Sequence, residues 1–133
     1  IFEFLRQEHG AAAPTQALLD AMAQGAAAGA ISKFALDKRD ALAQHALEVF
    51  VSIYGAFAGN MALTALAHAG VYIAGGIAPK IAAKLQDGAF MRAFTAKGRL
   101  RGVLETIPVQ VAMNPQVGLL GAAAEAARLA NNP

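Results

Sequence analysis

The chain has 133 residues, a mass of 13.6 kDa and a formal net charge of +2, which fits one domain or part of a larger one. It has no Cys, which excludes disulfides, thiolate zinc sites and iron–sulfur clusters, and 56% hydrophobic against 15% charged residues exclude an intrinsically disordered chain. The pI of 9.2 rests on too small a surplus of Lys and Arg to argue nucleic-acid binding.

About a quarter of the residues are Ala, so the hydrophobicity is of a weak, helix-favouring kind. Residues 1–8 read as a helix end stopped by Gly10, with Phe2, Leu5 and Phe4 facing the core. Pro14-Thr15 opens a second helix carrying Leu18, Leu19 and Met22 and ending near Gly25; a short helix follows over 27–36. Asp37 stands where an N-cap belongs, with Asp40 three residues later as an acidic variant of the capping box. The long helix opened there, 37–69, carries Leu47, Phe50, Ile53, Tyr54 and Phe57, with Gly55 and Gly59 at i and i+4. Each interior glycine costs about 1 kcal/mol against Ala, which a close helix or sheet approach would offset.

No Asp, Glu, Lys or Arg occurs between Glu48 and Lys80, and residues 49–67 approach the hydropathy of a membrane span. Asn60, His68 and the Gly75-Gly76-Ile77-Ala78-Pro79 break favour a fully buried core helix instead. The N-terminus has no charged n-region or apolar h-region of a signal peptide, and it lacks Met, as expected of a piece of a longer protein.

Val71-Tyr72-Ile73-Ala74 reads as a buried strand between glycines, followed by the Gly75-Gly76 turn and a helix from Pro79 to Leu85 with Ile81 and Leu85 inward. Asp87-Gly88 is a turn, Phe90, Met91 and Phe94 form the face of the next helix, and another helix covers 99–106. A second buried strand covers 109–113, and a terminal helix over 118–130 turns Leu119 and Leu120 inward. The alternation predicts an α/β chain with parallel strands and right-handed crossovers, in which two strands need further partners.

The double-glycine turn is the sharpest local signal. Missing side chains let a ligand lie against the backbone, and exposed N–H groups favour polar or anionic groups. Its spacing fits neither the dinucleotide fingerprint nor the P-loop, so the residues alone leave both a tight strand–helix turn and a ligand wall open. Asp20, Asp37, Asp40, Asp87, Glu105 and Glu125 show no paired arrangement; they read as caps and solvated charges. His9, His45 and His68 are far apart, which gives no metal-ligand pattern. Lys80, Lys84, Arg92, Lys97, Arg99 and Arg101 outnumber two acids between 80 and 105, a solvated face or a phosphate-favouring one. Ser32 and Ser52 have no His–acid partners for nucleophilic chemistry.

An ordered series of short motifs adds a further signal. Gly59-Asn60-Met61-Ala62-Leu63 is followed by Gly70-Val71-Tyr72-Ile73-Ala74-Gly75-Gly76-Ile77-Ala78-Pro79-Lys80. Next come Phe90, Ala93-Phe94, Lys97-Gly98-Arg99, Ile107-Pro108-Val109 and Gly118-Leu119-Leu120-Gly121-Ala122-Ala123. Taken in order and with its spacing, the series resembles the C-terminal part of bacterial ATP-dependent glucokinases over about residues 37–125.

The resemblance implies a helix-rich C-terminal portion of a two-domain actin-like (ribonuclease H-like) sugar kinase. Residues 1–36 would be a helical lead-in, 37–69 the long connecting helix, 70–85 the adenosine motif and 86–133 the terminal helices and strand. It implies that Gly75, Gly76, Ile77 and Lys80 lie at the nucleotide, and that Gly55, Gly59 and Asn60 serve hinge packing. It further implies ATP carrying Mg²⁺, glucose as the second substrate, a cytoplasmic homo-oligomer without membrane contact, and nucleic acid only through a fused regulator. The family's Asp-Gly-Gly-Thr phosphate loop, its Asn-Asp pair with the general base, and its sugar ligands have no counterpart here, so no catalytic residue and no metal ligand is expected in the chain. A non-catalytic sugar- or nucleotide-sensing domain of a transcription regulator is the alternative that the resemblance leaves, and a small membrane protein is the alternative from composition.

Overall fold

A computed structural model describes residues 1–8, 10 and 12–131; His9 lies outside them. Helices α1 (Phe2–Gln7), α2 (Gln16–Gln24), α3 (Ala27–Leu36) and α4 (Ala41–Ala65) come first, followed by strand β1 (Val71–Ile73). A 3-10 turn (Ala78–Ile81) and the short helices α5 (Ala82–Leu85), α6 (Ala89–Thr95) and α7 (Arg101–Glu105) lead to β2 (Val109–Val111) and α8 (Val117–Asn131). The strands pair in parallel, Val71 opposite Val109 and Ile73 opposite Val111. The expected helix-rich chain with few, parallel strands is therefore present, although each strand is shorter than its apolar run.

The core forms around α4. Its inward residues Leu42, Ala43, Ala46, Leu47, Val51, Ala58 and Ala62 recur at helical spacing, and Gly55 and Gly59 are buried among them. By length and composition alone α4 could cross a membrane. Here it is the scaffold on which α1, α3 and α6 pack.

The two α4 glycines face α6. A Cβ on Gly55 would be driven into the carbonyl oxygen of Phe90, with the carbonyl carbon at 3.0 Å. One on Gly59 would meet the carbonyl oxygen of Phe94 and, at 3.1 Å, Cε of Lys97. The bare backbone lets α6 approach until Phe90 and Phe94 are buried, with Tyr54 meeting Phe90 edge to face at a centroid spacing of 5.8 Å and Phe90 stacked on Phe94 at 6.2 Å. Lys97 lies across the notch and donates from Nζ to the carbonyl of Ala56 at 2.9 Å.

Several expectations are corrected. Asp37 does not cap α4: it ends α3 in a helical conformation, exposed, and Lys38 turns the chain at φ +56°. The cap is Asp40, whose Oδ1 accepts from Ala43 N–H at 2.8 Å and whose Oδ2 accepts from Thr15 N–H at 2.7 Å. The long helix ends at Ala65, not at residue 69. Leu66 adopts a left-handed conformation at φ +46°, and the N–H groups of Ala67 and Leu66 reach back to Ala62 and Leu63 at 3.0 and 3.3 Å, a Schellman closure without glycine.

The helix expected over 79–85 splits at Ile81, and that over 99–106 begins as a 3-10 turn (Gly98–Leu100). Phe4 and Met91 are exposed beside buried Phe2, Phe90 and Phe94. Leu119 and Leu120 point outward, 71% and 55% exposed, because nothing among the described residues covers α8.

Candidate functional site

The double-glycine turn follows β1 directly. Gly75 carries the positive φ of the turn, +108°, which a side chain would strain. Gly76 is outside the left-handed region, and a Cβ on it would meet no atom of the described residues within 4 Å. Ile77 is 58% exposed, Ala78 is buried, and Pro79 occupies the first turn of the 3-10 helix, where its missing N–H costs nothing.

This turn forms one side of a cleft of about 730 Å³. Gly76, Ile77 and Lys80 line it from the turn, and Gly29, Ser32 and Lys33 line it from α3. Leu47 and Phe50 of α4 add apolar surface. The volume lies within the range of small-molecule sites, and the lining combines apolar walls with a few polar groups, as such sites do.

The structure thus gathers three of the four nucleotide-side residues named from sequence. Gly75 shapes the turn and is not part of the wall. Gly55, Gly59 and Asn60 lie elsewhere: the two glycines are pressed on α6, and Asn60 is exposed, its carbonyl accepting from Thr64 Oγ1 at 2.9 Å. Sequence reasoning missed the α3 wall. Its one available signal was a glycine inside a short helix of alanines.

The basic series divides. Lys84 is tied to Asp87 Oδ2 at 2.7 Å and Glu48 Oε1 at 3.1 Å, which joins α5 to α4. The hydrogen bond that Lys84 donates to Asp87 is the main reason its pKa lies above the ordinary lysine value. Arg101 pairs with Glu105 at 2.7 Å, and Lys97 is held by the Ala56 carbonyl. Lys80 and Lys33 are the cations that line the cleft.

Among the described residues, Asp40 is the one buried charged side chain. Burial works to raise its pKa, but the hydrogen bonds from Thr15 and Ala43 outweigh it and hold the carboxyl below its ordinary value. Both oxygens are occupied by backbone donors, so it is a structural carboxylate. No cluster of three or more His, Cys, Asp or Glu among the described residues could hold a metal ion.

A protein-family model described as Glucokinase matches residues 1–129. The chain belongs to the glucokinase family. It is 56% identical over 100 residues to a glucokinase of Nostoc punctiforme, which covers 75% of this chain and 29% of that protein. It is 52% identical over 101 residues to a glucokinase of Synechocystis, 76% of this chain and 28% of the relative. A Caulobacter glucokinase is 49% identical over 77 residues, 58% of this chain and 23% of that protein. The chain therefore spans less than a third of the length of these curated relatives, as a piece of a family member does.

Proposed function

We propose that the parent protein transfers the γ-phosphoryl group of ATP to the 6-hydroxyl of glucose, and that residues 1–133 supply the nucleotide side of the cleft within a two-domain actin-like fold. Family membership supports the reaction. The observation that carries the site is the double-glycine turn lining a 730 Å³ cleft with Gly76 open toward it.

In the transfer, the glucose hydroxyl oxygen attacks the γ-phosphorus, the bond to the β,γ-bridging oxygen breaks, and ADP leaves. The hydroxyl proton passes to a carboxylate base. We assign that base outside residues 1–133, because the Asn-Asp pair that carries it in the family has no counterpart in the sequence and Asp40, the buried carboxylate, is consumed as a cap. This segment's contribution is positioning. Gly76 lets the nucleoside approach the backbone, Ile77 packs on it, and Lys80 and Lys33 give the rim positive charge.

Mg²⁺ would arrive on the phosphates of the nucleotide and offset their charge. The segment on its own carries no turnover in this reading, and the parent works in the cytoplasm. The exposed stripe Ile53, Phe57 and Met61 on α4 offers surface for the rest of the parent or a second copy.

Gly76→Val in the full-length parent tests the site. The turn's positive φ belongs to Gly75, so the variant keeps the backbone conformation. The ATP KM is expected to rise about thirtyfold, a loss of roughly 2 kcal/mol, with the glucose KM and the melting temperature nearly unchanged. A normal melting temperature with an unchanged ATP KM would remove the turn from the nucleotide site.

A further inference from the structure

Gly29 stands in the first turn of α3 with Ala on both sides. Its backbone is not left-handed, and a Cβ on it would meet only the Ala26 Cβ, at 4.0 Å. Among the described residues, neither conformation nor packing calls for glycine, the poorest helix former after proline. Its free side borders the cleft that Gly76 lines from the other wall, where a Cβ likewise meets nothing.

Ser32, three residues along α3, lines the same cleft. Its hydroxyl donates to the carbonyl of Ala28 at 2.9 Å. That bond uses the one proton of the hydroxyl, so the oxygen offers only lone pairs to anything in the cleft. A wall with a bare backbone and an acceptor-only oxygen suits a flat ring that carries an N–H donor.

We infer that Gly29 and Ser32 of α3 form the wall that receives the nucleotide's base, Gly29 by clearance and Ser32 by accepting a hydrogen bond from the 6-amino group of adenine. Guanine presents a carbonyl oxygen at that position, which would face the Ser32 oxygen as acceptor against acceptor. The inference rests on the nucleotide reading of the double-glycine turn and adds to it the residues that select the base.

Two variants of the full-length parent test it, read by ATP and GTP binding and by thermal unfolding without ligand. Gly29→Leu fills the clearance with a good helix former, so its melting temperature should hold or rise while the ATP Kd weakens about tenfold or more. Ser32→Ala should lower the preference for ATP over GTP about five- to tenfold and leave the glucose KM unchanged.

A lower melting temperature in Gly29→Leu would show a packing role and overturn the clearance argument. Equal loss of ATP and GTP binding in Ser32→Ala would overturn base reading. If Gly76→Val weakens ATP binding and Gly29→Leu does not, the α3 wall is wrong and the turn stands. If neither weakens it, the nucleotide reading itself fails.

Discussion

Gly55 and Gly59 on α4, and Gly29 and Gly76 at the cleft, are the same residue in opposite surroundings. At the first pair the space a Cβ would take is filled by the backbone of α6. At the second pair, apart from the adjoining backbone, no atom of the described residues lies closer than 4.0 Å. A glycine filled from within the fold is there for stability. One that faces empty space and also lines a cleft, as Gly29 and Gly76 do and the equally open Gly25, Gly102, Gly118 and Gly121 do not, points to something that is not part of the chain. Clearance at Cβ, read together with a place on the cleft wall, separates a packing role from a binding role where residue identity alone does not.

The largest expected effect breaks the packed side. Gly55→Ala places a methyl against the Phe90 carbonyl, backbone that cannot swing aside, and should cost about 3 kcal/mol or more. Denaturant unfolding of the parent would register it, and an unchanged midpoint would mean that α6 can retreat without loss.

The cap comes next. Asp40→Asn keeps an acceptor for Ala43 but turns an amide donor toward the Thr15 N–H, or the reverse, at a cost of about 1–2 kcal/mol. Because the folded pKa of Asp40 is lowered, its stabilisation is complete above the ordinary carboxylate value of about 4 and is lost as pH falls through the folded value. The stability gap between wild type and variant should therefore be flat from neutral pH to about 5 and close in stronger acid. A gap that stays constant as the pH falls well below the ordinary carboxylate value would assign the effect to shape and not to charge.

The smallest effect sharpens the comparison from the open side. Gly76→Ala should change unfolding by less than about 0.5 kcal/mol, since its Cβ enters free space. A loss close to that of Gly55→Ala would erase the distinction between the two pairs.

Much of this was legible along the chain. Apolar periodicity located α2, α3 and α4, and glycines bounded β1 on both sides. The choice between Asp37 and Asp40 was not legible, because both sit at cap-like spacing and the deciding partner, Thr15 N–H, is 25 residues away. The apolar face of α8 is visible in Leu119 and Leu120, but a stripe does not say what covers it, and nothing described in the chain does. At the site, the double glycine stood out because two adjacent glycines after a strand are uncommon. The α3 wall did not, since a glycine among alanines leaves no periodic trace and its neighbour across the cleft lies more than forty residues further on.

The bond from Thr15 N–H to Asp40 Oδ2 has a consequence for recognition. It fastens the start of α2 to the start of α4, and α3 lies on the stretch of chain between those two points. The entropy of closing that loop is spent when the protein folds. A ligand that later lies against Gly29 and Ser32 meets a surface already held in place, and none of its binding free energy goes into arranging it.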